Sequence, residues 1–302
     1  MPARGHHTGI AGAPPPPPVT RPDGAVPGYR ARHTLPLWVE TRRQMSRRRT
    51  QLTLGFLVVL PFLLVAAFKL GNDERNRGER PALVDLATLG AANFTFFTLF
   101  VSTGFLLVVV VALFFGDTVA SEASWSSLRY LLAAPVGRSQ LLWRKLVVAF
   151  WYSVFGLALL PAVAYLAGGL FFGWAPLRTP LGDVVGNGTA VARLVIAVAY
   201  VMVSLLFVAA LAYLLTVWTD APLGAVGGAV LLVIVSNILD AVTALGDWRR
   251  LLPTHYQYAW TDVLGAGVSW DNMVRGALWS VGYTAVLLVL AWRHFARKDV
   301  TS

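Results

Sequence analysis

From Gln51 to Leu70 the chain carries a single ionisable side chain, Lys69, in an otherwise apolar run. About twenty residues rising about 1.5 Å each cross a hydrocarbon core of about 30 Å. Inside lipid every backbone N–H and C=O has to find its partner within the protein, and a helix supplies those partners locally. The long tail ahead of this run, and an apolar core beyond the usual length of about 7 to 15 residues, make it a span rather than a cleaved signal. Comparable runs recur at residues 91–115, 146–172, 189–218, 222–245 and 272–292. The sequence therefore predicts an all-α integral membrane protein with six transmembrane helices.

Composition agrees with that reading. Charged residues make up 13% of the chain and hydrophobic residues 56%, whereas a soluble domain carries about 25% charged residues. There is no cysteine, which removes disulfides, thiolate metal sites and a cysteine nucleophile. The net charge of +10 is distributed by side. Arg42, Arg43 and Arg47 to Arg49 precede the first span, Arg129, Arg138, Arg144 and Lys145 lie between the second and third, and Arg293, Arg297 and Lys298 follow the sixth. The other loops carry mixed charge, so the positive-inside rule places both termini in the cytoplasm. With the charge explained by topology, no basic surface is left over for nucleic acid.

Residues 1–34, rich in Pro and Gly with Pro14 to Pro18 in a row, lack the apolar content to fold and are expected to form a cytoplasmic tail. Residues 35–50 combine Leu35, Leu37, Trp38 and Val39 with the arginines, the pattern of an amphipathic helix at the membrane surface. Pro161 is expected to bend the third span. The short turn Thr219–Pro222 forces the fourth and fifth spans into an antiparallel hairpin, and Gly224 and Gly228 give the fifth the small-residue spacing that lets helices approach closely. Residues 173–188 and 246–271 are expected to be loops, and 293–302 a second cytoplasmic tail.

The residues of common catalytic motifs are missing. Lys69, Lys145 and Lys298 are the only lysines, and none is followed by Ser or Thr as a P-loop requires. No H-E-x-x-H helix or G-x-S-x-G elbow occurs. Lys69, Arg193 and Asp240 fall near the outer ends of their spans, within snorkelling distance of headgroup water. Asp240 with Asn237 is the best polar pair inside a span. His255, beside Tyr256 in an external loop, reads as an interfacial residue. Its other reading is the base of a membrane-embedded hydrolase with Ser204 or Ser236 as nucleophile.

Residues 117–145 form the longest polar interruption on the cytoplasmic side. Val119, Ala123, Tyr130, Leu131 and Leu132 alternate with Glu122, Ser126, Ser127 and Arg129 as in a surface helix. Pro135 and Gly137 break it, and Ser139 is placed to cap a second helix that carries Arg144 and Lys145 into the third span. The run Glu122, Ser126-Ser127-Leu128, Leu131-Leu132, Pro135-Val136, Arg138, Leu141-Leu142 and Lys145 resembles the cytoplasmic segment of permease subunits of type-two ATP-binding-cassette exporters. Ser126-Ser127 stands where that family commonly has Gly-Thr, and Arg144 where Gly often precedes the lysine. The resemblance implies a multi-pass permease of a bacterial plasma membrane, surrounded by membrane lipids. It implies pairing with a second permease subunit, as homodimer or heterodimer, and with separate ATP-binding subunits. It assigns Glu122, Leu128, Arg129, Pro135 and Arg138 to the contact that couples the spans to the ATPase. ATP and magnesium would then act in the partner, with no cofactor and no catalysis in this chain. A non-transporting membrane scaffold is the remaining alternative.

Overall fold

The computed structural model describes residues 37–71, 83–118, 138–219, 221–265 and 267–297. Nearly all of these are helical. The order is α1 (Leu37–Met45), α2 (Arg48–Leu70), the single turn α3 (Leu83–Leu86), α4 (Ala91–Thr103), α5 (Leu106–Gly116), α6 (Arg138–Phe172), a two-stranded antiparallel hairpin of β1 (Leu177–Arg178) and β2 (Val184–Val185), α7 (Asn187–Ser204), α8 (Leu206–Trp218), α9 (Pro222–Ala241) and α10 (Asp271–Arg297). Among the described residues, five helices are long and apolar enough to cross a membrane, counting α7 and α8 together, and six if α4 and α5 form one bent span. The chain is thus a mostly helical protein built of membrane-length apolar segments.

Each helix buries the stripe that its spacing dictates. In α2, Leu54, Leu57, Pro61 and Val65 recur every three or four residues and are buried against α6, while Leu52, Phe56 and Leu63 face outward. α6 passes through Pro161 without a break in its helix. Ser139 lies within the helical residues described from Arg138 onward, not ahead of them as a capping role requires. The α8–α9 hairpin forms as its turn demands, with Pro222 at the first helical position. Gly228 faces Leu215 across it, and Gly116 of α5 approaches Val226 so closely that a Cβ at 116 would meet Val226 Cγ2 at 2.7 Å. Gly224 has no comparable neighbour in another span.

Two of the expected spans are interrupted. The expected continuous run 91–115 is bent by 59° between α4 and α5, around Gly104 and Phe105. The cause lies far away in sequence. The Tyr258 hydroxyl occupies the space of a side chain at position 104, 2.3 Å from where a Cβ would sit, and the Gln257 amide donates to the Thr103 carbonyl at 2.7 Å. At Leu205 the fourth span steps from α7 to α8, and Ser280 of α10 donates to the carbonyls of Val203 at 2.7 Å and Ser204 at 3.2 Å. Side chains from elsewhere thus satisfy carbonyls at each break, as apolar surroundings require.

The expected fifth span, 222–245, stops earlier. Val242 turns extended after Ala241, and 3-10 turns follow at Thr243–Leu251, which starts inside the expected span, and at Ala259–Leu264 in the expected loop. Gly246 takes the left-handed φ of +54° inside the first of them. Trp260, in the second, is fully buried and stacks on Phe96 of α4 at 6.2 Å.

Candidate functional site

Three ion pairs gather around α1 and the start of α2 at one end of the bundle. Tyr213, near the C-terminus of α8, donates to the carbonyl of Leu142 near the start of α6 at 2.8 Å, and Trp218 lies beside His294 of α10. Across this end lies α1. Lys145 Nζ meets Glu40 Oε1 at 3.2 Å, with the lysine side chain 2% exposed and the glutamate 11%. About two helical turns further along α6, Tyr152 donates to the Thr41 carbonyl at 2.8 Å. The final carboxylate of the second span, Asp117, accepts from Arg47 Nη1 at 2.8 Å and Arg49 Nη1 at 2.9 Å. A carboxylate at a helix C-terminus opposes the helix dipole, and two guanidinium groups offset that penalty.

Segment 117–145 is therefore fastened at both ends to one short stretch of chain, at Asp117 by Arg47 and Arg49 and at Lys145 by Glu40. Buried, directional ion pairs fix relative position better than they add stability. α1, the start of α2, the end of α5 and the start of α6 are thereby joined into one junction. Of the residues expected to make the coupling contact, Glu122, Leu128, Arg129 and Pro135 lie outside the described residues, and Arg138 forms the first residue of α6. Sequence reasoning took the basic residues here as markers of sidedness and missed the junction. Its signal was present: Glu40 is the only acid between residues 35 and 50.

The opposite end is closed by the 3-10 region. Asp240 Oδ1 lies 2.5 Å from His255 Nδ1, so the partner of Asp240 is the loop histidine and not Asn237, which is half-buried one turn earlier. Ser236 shares a buried hydrogen bond of 2.8 Å with Thr254, and the Tyr200 hydroxyl donates to the Tyr256 carbonyl at 2.6 Å. Burial pushes the Tyr258 phenol above its ordinary value, offset in part by a hydrogen bond with the Gly104 backbone. Arg193 departs from expectation. Rather than reaching outward it is 8% exposed and donates to the Gly265 carbonyl at 2.9 Å. Lys69 lies over the ring of Phe171 at 5.0 Å.

Chemically this end holds a His–Asp pair whose candidate nucleophiles are engaged elsewhere: Ser236 with Thr254, and Ser204 with its own helix at the Val201 carbonyl. Among the described residues no group of three or more His, Asp or Glu side chains could hold a metal ion.

Comparison with curated proteins finds no match. Residues 85–301, which run from α3 through both broken spans to the last helix, match a family model described as protein of unknown function (DUF2705), and the chain belongs to that family.

Proposed function

We propose that this chain is the membrane-embedded permease subunit of an ATP-driven exporter of the ATP-binding-cassette type. In this reading six spans, with α4 and α5 as one of them, place both termini and the charged junction in the cytoplasm. A second permease subunit completes the pathway, and separate subunits bind ATP and magnesium and press on residues 117–145. The observation that carries the reading is the double fastening of that segment. A load applied between Asp117 and Lys145 reaches α2, α5 and α6 together through Arg47, Arg49 and Glu40, which is what a force-receiving element needs. Support also comes from the resemblance of Glu122 through Lys145 to the coupling segments of such permeases, and from the lack of a P-loop in the sequence.

The test is extraction from the native membrane in mild detergent, followed by mass spectrometry of co-purifying chains and an ATPase assay. An ATP-binding subunit should co-purify with the chain, and Glu122→Lys or Arg138→Glu should release it, or uncouple its hydrolysis, while the permease stays folded. Recovery of the chain without any ATP-binding partner, from cells expressing its native neighbours, would sink the proposal. The His255–Asp240 contact supports a second reading, a membrane-embedded hydrolase. His255→Ala separates the two, since a hydrolase loses its activity and a permease keeps its transport.

A further inference from the structure

α1 is polar toward the bundle and apolar away from it. Its buried residues are Glu40 and Gln44, one turn apart, whereas Leu37, Trp38, Val39 and Met45 are exposed, Trp38 by 71%. A helix between protein and water carries its apolar residues inward, and α1 reverses that order. Trp38, Arg42 and Met45 fall at i, i+4 and i+7 and so form one exposed row, with Val39 and Arg43 in the next. Charge is as one-sided as polarity. Arg42, Arg43, Arg48 and Arg49 are exposed, and the only acid from residue 37 to residue 71 is Glu40, buried against Lys145. Asp117 is buried between Arg47 and Arg49. Among the described residues, the outer face of this junction therefore presents guanidinium and apolar groups without an exposed carboxylate to balance them.

Position decides what covers that face. Ser46 and Arg47 alone separate α1 from α2, a link that reaches about 7 Å at most. The outward Leu52 and Phe56 of α2 follow within two turns of Arg48. α1 is thus held at the level where the first membrane-length helix leaves the hydrocarbon, and there tryptophan and arginine side chains meet lipid headgroups. The charge decides which lipid: exposed guanidinium groups without exposed acids complement a phosphate surface of net negative charge rather than a zwitterionic one. We infer that the outer face of α1 binds anionic phospholipid of the adjoining leaflet, with Arg42 and Arg43 on the phosphates and Trp38 and Met45 at the top of the acyl chains. Glu40 and Lys145 hold the same helix from its other side, so headgroup charge adds to what keeps the junction closed. The inference rests on the membrane-length helices and not on the transport reading.

The chain has no cysteine, so Met45→Cys carries a single bimane fluorophore on this face. The labelled full-length protein is placed in phosphatidylcholine nanodiscs, and quenching is followed as phosphatidylglycerol or phosphatidylcholine with brominated acyl chains replaces part of the lipid. One guanidinium group beside an anionic surface is worth about fivefold. Arg42 and Arg43 together should therefore let phosphatidylglycerol half-quench at a mole fraction about 25-fold below that of phosphatidylcholine. Arg42→Gln with Arg43→Gln, at exposed positions that leave the Glu40–Lys145 pair in place, should lower this preference about 25-fold, and high salt should lower it in the parent protein. Equal quenching by the two lipids, or a preference that survives both the double variant and high salt, overturns the inference. So does a label that neither lipid quenches, which would show that another chain covers the face. Displacement of phosphatidylglycerol by soluble glycerol phosphate would mark an anion pocket in place of a leaflet surface and overturn it as well.

Discussion

Replacing Lys145 by methionine tests the junction directly. The substitution keeps the length and packing of the side chain and removes its charge, leaving Glu40, with its side chain 11% exposed, without the ammonium that lies 3.2 Å away. Breaking a buried ion pair in this one-sided way costs about 3–5 kcal/mol. Because α1 lies at the end of the bundle, where water can reach an uncovered carboxylate, the lower figure of about 3 kcal/mol applies. At 1.4 kcal/mol per decade this raises the undocked population of α1 about 150-fold. The other ties of α1, including Tyr152 to Thr41, are the same in both proteins and drop out of the ratio. Tryptic cleavage at Arg42 and Arg43, measured in nanodiscs at low protease so that the rate follows the open population, should accelerate by about two orders of magnitude. Adding Glu40→Leu to Lys145→Met should return the rate to near wild type, because an apolar pair of similar volume replaces a buried ion pair at little or no loss. A single variant cleaved within threefold of wild type, or a double variant as labile as the single, would refute the buried pair as the element that docks α1.

Four further outcomes follow from contacts at the junction and at the α4–α5 break. Asp117→Asn should lower thermal stability by about 2 kcal/mol, through weakened charge-assisted bonds to Arg47 and Arg49. Arg49→Gln, whose side chain is 60% exposed, should change stability by under about 1 kcal/mol, and thermal unfolding in detergent ranks the two. Gly104→Ala should destabilise by about 1–3 kcal/mol because its Cβ would fall 2.3 Å from the Tyr258 hydroxyl, and adding Tyr258→Phe should recover most of that loss in the same assay. Gln257→Leu removes the donor to the Thr103 carbonyl and should speed hydrogen exchange across residues 252–264 by about tenfold or more, as expected for about 1.5–2 kcal/mol.

Much of the fold was legible because lipid imposes simple arithmetic. The fourth span was expected at 189–218 and α7 with α8 covers 187–218, since only apolar length and a polar boundary were needed to place it. The hairpin at Pro222 was legible for the same local reason. The break at Gly104 was not, because a glycine in an apolar run is compatible with a straight helix. What bends it is the hydroxyl of Tyr258, contributed from beyond the five described helices α5 to α9. Asp240 shows the same limit: Asn237, three residues back in the helix, was visible as sequence, whereas His255 reaches it only after the chain turns at Val242. Arg193 was given an outward course on the assumption that lipid surrounds it, and the loop carbonyl of Gly265 supplied a nearer acceptor. The expected coupling residues Glu122, Leu128, Arg129 and Pro135 fall outside the described residues, so only the anchors of their segment can be compared with expectation.

The break between α4 and α5 sets how motion divides within the second span. A straight helix acts as a rod, delivering a displacement at one end to the other. Here α5 meshes with α8 and α9, where Gly116 seats against Val226, while α4 packs chiefly on α6 and under the buried ring of Trp260. Displacement of Asp117 would thus be handed sideways to the α8–α9 hairpin. The Thr103 end, held by Gln257, would stay still, so the bend would act as a clutch between two halves of the bundle.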